Sequence, residues 1–183
     1  MLLDESGLLM APLVRRSWAC KGLPPVIRPK AGHREKVSVA AALWLTPRRD
    51  RLGLTFQTMV NGYFDAEAVA DFLRTVLPAV GGPVVLVWDG GTMHRGDPID
   101  ELLEESQGRL DLERLPAYAP ELMPVEQVWS WLKYSRLCNF APADALQLQG
   151  AILRELAAIQ EDQGRLQNFF HASDLPLPRA LLS

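Results

Sequence analysis

Cysteine is nearly absent. Cys20 and Cys138 are the only two among 183 residues, too few for a disulfide framework and without the Cys-x-x-Cys spacing of a metal pair. Their expected state is that of buried thiols in a reducing cytoplasm. Histidine is scarce too, and His33, His94 and His171 are too scattered for a zinc site by spacing. No apolar run approaches the ~20 residues of a membrane-spanning helix. The opening MLLDESGLLM carries acids where an export signal needs a basic flank. Neither membrane insertion nor export is expected. With 48% hydrophobic and 22% charged residues, a disordered or collagen-like chain is also excluded. The length fits one domain, and the sequence holds no internal repeat or low-complexity tract.

The net charge of −3 is small but unevenly spread. Residues 1–60 carry ten Lys and Arg against four acids, a net of +6, while the remainder nets −9. A basic first third on an acidic body fits a polyanion path at one end, and fits a solvated basic loop equally well. Charge alone does not choose.

The apolar pattern begins as strands and ends as helices. KVSVAAALWLT, from Lys36 to Thr46, is apolar on both alternating faces, which places it in the middle of a sheet. After a polar turn over residues 47–51, Leu52 to Asn61 alternates as a hairpin partner with one wetter face, closed by Asn61-Gly62. Val69, Phe72, Leu73 and Val76 mark one face of a helix with Asp65 as N-cap and Pro78 near its end. PVVLVW, from Pro83 to Trp88, reads as a buried parallel strand. A short helix over Pro98–Ser106 and a strand over Leu110–Leu115 follow. Three prolines forbid an ordinary helix from Pro116 to Pro124. A helix then opens at Pro124 with Val125, Val128, Trp129 and Leu132 on one side. A last helix uses Leu146, Ile152, Leu153, Leu156 and Ile159. Three directly joined strands followed by strand–helix alternation imply an α/β mixed sheet, a three-stranded antiparallel start and then parallel strands, flanked by helices; a ribonuclease-H-like arrangement meets that description, and the pattern alone admits other mixed α/β folds.

Three acids occupy strand ends or a helix start. Asp4 lies in the first apolar strand, Asp89 follows VVLVW and precedes Gly90-Gly91, and Glu126 sits in the first turn after Pro124. Acids at the ends of buried strands are costly unless compensated, since desolvation and mutual repulsion both oppose ionisation. Magnesium, a hard cation that takes carboxylate oxygens, supplies that compensation. Two ions about 4 Å apart can drive phosphodiester displacement. With 22 acids in the chain, ordinary loop caps and helix caps would produce the same placements.

The wording around these acids carries a resemblance. VVLVWDGGTMHRG and LPAYAPELMPVEQVWSWLK resemble the second and third blocks of the DDE transposases, in the insertion-sequence branch of the mariner superfamily. The matching positions are Asp89 and His94, then Leu115, Pro116, Tyr118, Pro120, Glu121, Leu122, Pro124, Glu126, Val128 and Trp129. The first block, LLDESGLLMAPLVRRSWACKGLPPVI, is similar through Asp4, Trp18, Gly22 and Pro25, so the likeness runs from about Leu2 to Leu137. It implies a DDE endonuclease core over residues 1–140; beyond it the chain reads as a helical extension of the same domain over 141–173 and, with Pro176 and Pro178, a loose tail over 174–183. It also implies a catalytic and metal-binding triad of Asp4, Asp89 and Glu126 holding two Mg²⁺ ions, for which Mn²⁺ substitutes, with His94 in support. The implied reaction is cleavage of DNA at transposon ends and transfer of the freed 3′-hydroxyl to target DNA. A homodimer in the nucleoid-associated cytoplasm of a prokaryotic cell is the implied setting. Arg15, Arg16, Arg28 and Lys30 are then candidates for gripping phosphates. Trp129 and Trp131 are read as packing, with base stacking the lesser alternative.

Three departures from the family pattern stand out. The family carries helix-turn-helix modules before its first Asp, but only three residues precede Asp4, so a separately encoded DNA-binding half is expected. Met123 stands where the family has Asn, and residue 123 is the natural N-cap before Pro124. Met cannot accept the capping bond, a loss of roughly 1 kcal/mol. Ala119 in place of Ser is minor. These departures keep open a non-catalytic remnant that folds and binds DNA weakly, and a different ribonuclease-H-like nuclease is the third reading.

Overall fold

The computed structural model describes residues 1–28, 35–48, 51–91, 94–116 and 119–175. Lys30, Tyr118 and most of the expected tail lie outside them. Five strands form one mixed sheet: β1 (Leu2–Leu9), β2 (Lys36–Leu45), β3 (Leu52–Val60), β4 (Val84–Trp88) and β5 (Leu110–Arg114), in the spatial order β3-β2-β1-β4-β5. β1, β2 and β3 run antiparallel, with Asp4 opposite Ala41 and Ala41 opposite Phe56. β4 lies parallel to β1, and β5 parallel to β4. This is the mixed ribonuclease-H-like sheet expected.

Five helices cover it: α1 (Ala66–Val80), α2 (Asp97–Glu105), α3 (Pro124–Trp131), α4 (Ala145–Gln160) and α5 (Gln163–His171). A short 3₁₀ turn, Pro120–Leu122, precedes α3, and a π-helical turn, Leu132–Arg136, follows it. α1 and α2 cover one face, packing Phe72, Leu73 and Ile99 on Leu3, Ala40, Leu86 and Trp88. α3, α4 and α5 cover the other, packing Val128, Ile152 and Phe169 on Leu2, Val39, Ala41 and Leu54. Because strand side chains alternate, β2 is dry on both faces, as its sequence indicates. Asp65 caps α1 as expected, its Oδ1 accepting from the Ala68 amide at 3.0 Å.

Several expectations need correction. PVVLVW is not dry on both sides: Val84, Leu86 and Trp88 are buried, but Val85 is 51% exposed. Helices α3–α5 lie over β1, β2 and β3, so β4 gets full cover only from α1 and α2. In α4 the buried stripe is Ala145, Leu148, Ile152, Leu156 and Ile159, while Leu146 and Leu153 face outward. α5 has no counterpart in the sequence reading. Asp162 opens it, its Oδ1 accepting from the Arg165 amide at 2.9 Å. Leu166, Phe169 and Phe170 close the core. α4 and α5 also protect the sheet edge: the Gln163 side chain, at the start of α5, pairs both backbone groups of Leu52 (3.2 and 2.9 Å), and Gln160 Nε2, at the end of α4, donates to the Leu54 carbonyl. Finally, the cysteines are not buried thiols: Cys20 is exposed and Cys138 half-buried.

Candidate active site

Asp4 sits mid-strand on the face of β1 that α3 covers. Trp129 lies three residues after Glu126 on α3, so their side chains share one helix face. The Trp129 indole Nε1 donates to Asp4 Oδ2 at 2.7 Å. Burial pushes the Asp4 carboxyl up to about 7; the indole bond opposes this, while the negative charges of Glu126 and Glu5 add to it. A carboxyl so placed is short of positive charge. Trp129 is thus more than the packing residue its sequence context indicated, since it orients an acid of the candidate site.

Asp89 follows the last residue of β4, and its side chain is 60% exposed. The Gly91 amide donates to its Oδ1 at 2.8 Å, an Asx-type turn that the Gly90-Gly91 pair accommodates. His94 is 1% exposed and lies flat on Trp88, rings 4.4 Å apart and 7° from parallel. Its Nδ1 lies 2.9 Å from Asp89 Oδ1, and its Nε2 3.2 Å from Glu5 Oε2. It is both a packed histidine and a direct neighbour of an acid. Burial lowers its pKa, but the bond and charge of Glu5, with the carbonyl and charge of Asp89, more than offset this, so the net shift is upward. Glu5 was not singled out in the sequence; adjacency to Asp4 was the only signal available.

Glu126 enters from the first turn of α3. Met123 makes no side-chain capping bond, as expected from its chemistry, and the Glu126 amide bonds the Met123 carbonyl at 3.0 Å. The Met123 side chain is nevertheless only 4% exposed and belongs to the core beneath α3. The position trades a helix cap for core packing.

Asp4, Asp89 and Glu126 line a single cleft of about 410 Å³, together with Gly90, Gly91, Pro120 and Met123. Among the described residues no three His, Cys, Asp or Glu side chains stand already gathered for a metal ion. Asp4 Oδ2 is held by Trp129, and Asp89 Oδ1 by Gly91 and His94. In donor chemistry the cleft fits a hard divalent cation: three carboxylates line it, and one of them lacks a counter-charge in its buried position.

Of the basic candidates, Arg15, Arg16 and Arg28 are exposed on a segment, residues 11–28, without helix or strand. Arg15 is anchored there: its amide donates to Asn139 Oδ1 (2.8 Å), its Nη1 to the Tyr134 carbonyl (2.9 Å), and its guanidinium lies 5.7 Å from the Tyr134 ring centre. Trp131 is a packing residue, between the Arg165 and Arg136 guanidinium groups (4.8 and 5.5 Å) and edge-on to Phe169.

A mixed sheet in the order β3-β2-β1-β4-β5, with acids on β1, just past the end of β4 and on a helix across the cleft, defines the ribonuclease-H-like class. The family model described as DDE superfamily endonuclease matches residues 1–148, and the chain belongs to that family. A search of curated proteins found no match. Among solved structures the chain is similar to the Mos1 mariner paired end complex with Mn, at 16% identity and a TM-score of 0.66, covering 96% of this chain and 52% of that one. The Mos1 strand transfer complex matches at 16% identity and a TM-score of 0.66, over 96% and 51% of the two chains. The catalytic domain of Mos1 mariner transposase matches at 12% identity and 0.60, over 96% and 76%. The chain therefore spans about half the length of the Mos1 chains in those complexes.

Proposed function

We propose that this chain is the catalytic domain of a DNA transposase, cutting DNA at transposon ends and joining the freed 3′-hydroxyl to target DNA. The observation that carries the reading is the single cleft shared by Asp4, Asp89 and Glu126 in a DDE endonuclease fold. These three carboxylates are the residues that would hold two Mg²⁺ ions, with Mn²⁺ as substitute. When bound, the ions polarise the attacked phosphate and offset its charge. The chain's own residues set the geometry. Trp129 orients Asp4, the Gly91 amide and His94 orient Asp89, and the first turn of α3 presents Glu126. Both chemical steps are in-line attacks at phosphorus, so positioning and charge neutralisation carry the catalysis.

DNA is the partner, approached along Arg15, Arg16, Arg28 and Lys30, with transposon ends recognised by a helix-turn-helix half. The working unit is a homodimer, nucleoid-associated in a prokaryotic cytoplasm. The exposed apolar run of Val14, Trp18, Leu23 and Val26, with Trp18 fully exposed, supports an assembly surface on this basic segment. In the presence of Mg²⁺ or Mn²⁺ the chain is expected to nick supercoiled plasmid, and Asp89→Asn to abolish nicking. Equal behaviour of wild type and Asp89→Asn under forcing conditions contradicts the reading. It would favour the non-catalytic remnant, which the missing side-chain cap at Met123 supports.

A further inference from the structure

One buried histidine–glutamate contact reaches the cleft from the far side of the sheet. Consecutive strand residues face opposite ways, so Asp4 turns toward α3 while Glu5 turns, like Leu3, toward the α1–α2 layer. The Glu5 side chain is largely buried there, and both its oxygens lie against His94 Nε2, at 3.3 and 3.2 Å. His94 is locked flat on Trp88, and its other nitrogen, Nδ1, meets the Asp89 carbonyl at 3.2 Å and Asp89 Oδ1 at 2.9 Å. The imidazole therefore spans from β1 to the residue just past the end of β4, with both nitrogens engaged.

Asp89 needs such a brace. It sits beyond strand pairing, before two glycines, with its side chain mostly in solvent. Among the described residues only Oδ1 is tied down, by the Gly91 amide and by His94. We propose that Glu5 is a positioning residue of the cleft, acting through His94 to hold the Asp89 carboxylate in one orientation. This rests on the metal-binding reading of the three acids. A partner bonded directly to a metal ligand typically changes metal affinity 10–100-fold when removed; here that partner is His94, and Glu5 holds it in place. Glu5 touches neither substrate nor ion in this account. It fixes the imidazole, and the imidazole fixes the acid.

The test is Mn²⁺ binding to the full chain, followed by electron paramagnetic resonance of free Mn²⁺ with no DNA present. Glu5→Gln keeps an oxygen for Nε2 and should bind Mn²⁺ within about threefold of wild type. Glu5→Ala should bind 10–100-fold more weakly. Glu5→Leu, which fills the space without accepting a bond, should show the same loss and serves if the alanine variant does not fold. In an Asp89→Ala background Glu5→Leu should cost nothing further, because its effect passes through Asp89; a general loss of structure would appear in both backgrounds. Wild-type affinity in Glu5→Leu, or an equal loss with and without Asp89, overturns the positioning role while leaving the triad intact. No Mn²⁺ binding by the wild type overturns both.

Discussion

Replacing Asp4 by asparagine removes a charge while keeping the shape and an oxygen to accept the Trp129 indole bond. In the folded, metal-free chain burial lifts the Asp4 carboxyl to about 7 from its usual 3.8. Between those values the folded state holds a proton that the unfolded state has released, so stability falls as pH rises from about 4 to about 7 and stays low above. At 1.36 kcal/mol per unit, the ionised carboxylate costs the fold on the order of 4 kcal/mol at pH 8. Asp4→Asn removes that cost and introduces a smaller one for a buried amide. In EDTA at pH 8 the variant should therefore melt higher than wild type, by roughly 10 °C for a chain of this size. At pH 4 the two should melt together. Adding Mn²⁺ at pH 8 should raise the wild-type melting temperature and leave the variant unmoved. A variant that is less stable than wild type at pH 8, or a difference that ignores pH, refutes the reasoning.

Trp129→Phe removes the indole donor and leaves the packing; Asp4 should then titrate higher still and Mn²⁺ binding weaken by about tenfold, measured by calorimetry. Met123→Asn restores a cap worth about 1 kcal/mol but empties a buried methionine site worth more, so urea unfolding should show a net loss of about 2 kcal/mol; a gain would mean that the core contact is unimportant. Neutralising Arg15, Arg16 and Arg28 together should weaken binding to every DNA sequence alike and lower the salt slope by about 3. Unchanged binding in a fluorescence-anisotropy titration removes this segment from the DNA path.

The sheet was legible because its signals are local. KVSVAAALWLT can only be an inner strand, and the direct joining of three strands before the first helix dictates the antiparallel half. The acids stood out through their wording and, for Asp89 and Glu126, through a place at an element end, whereas Asp4 lies inside β1. What escaped is what depends on three-dimensional register. An unbroken apolar run looks the same whether one face or two are covered, so Val85 was placed inside. Leu146 and Leu153 are seven residues, about two helical turns, apart on the rim of the α4 stripe, and only the packing of α4 on β3 makes Leu148 the inward residue. α5 is short, contains Gly164 and offers just three large apolar residues, so its helical period is faint. Glu5 and Trp129 acquire their roles from partners 89 and 125 residues away, a distance no spacing rule spans.

A crystal soaked in Mn²⁺ and measured at the manganese edge tests the central claim most directly. The account predicts anomalous density in the cleft, with oxygens of Asp4, Asp89 and Glu126 drawn to about 2.1 Å from the ions. Fully occupied manganese elsewhere on the molecule, with the three carboxylates still turned to their protein donors, would contradict it.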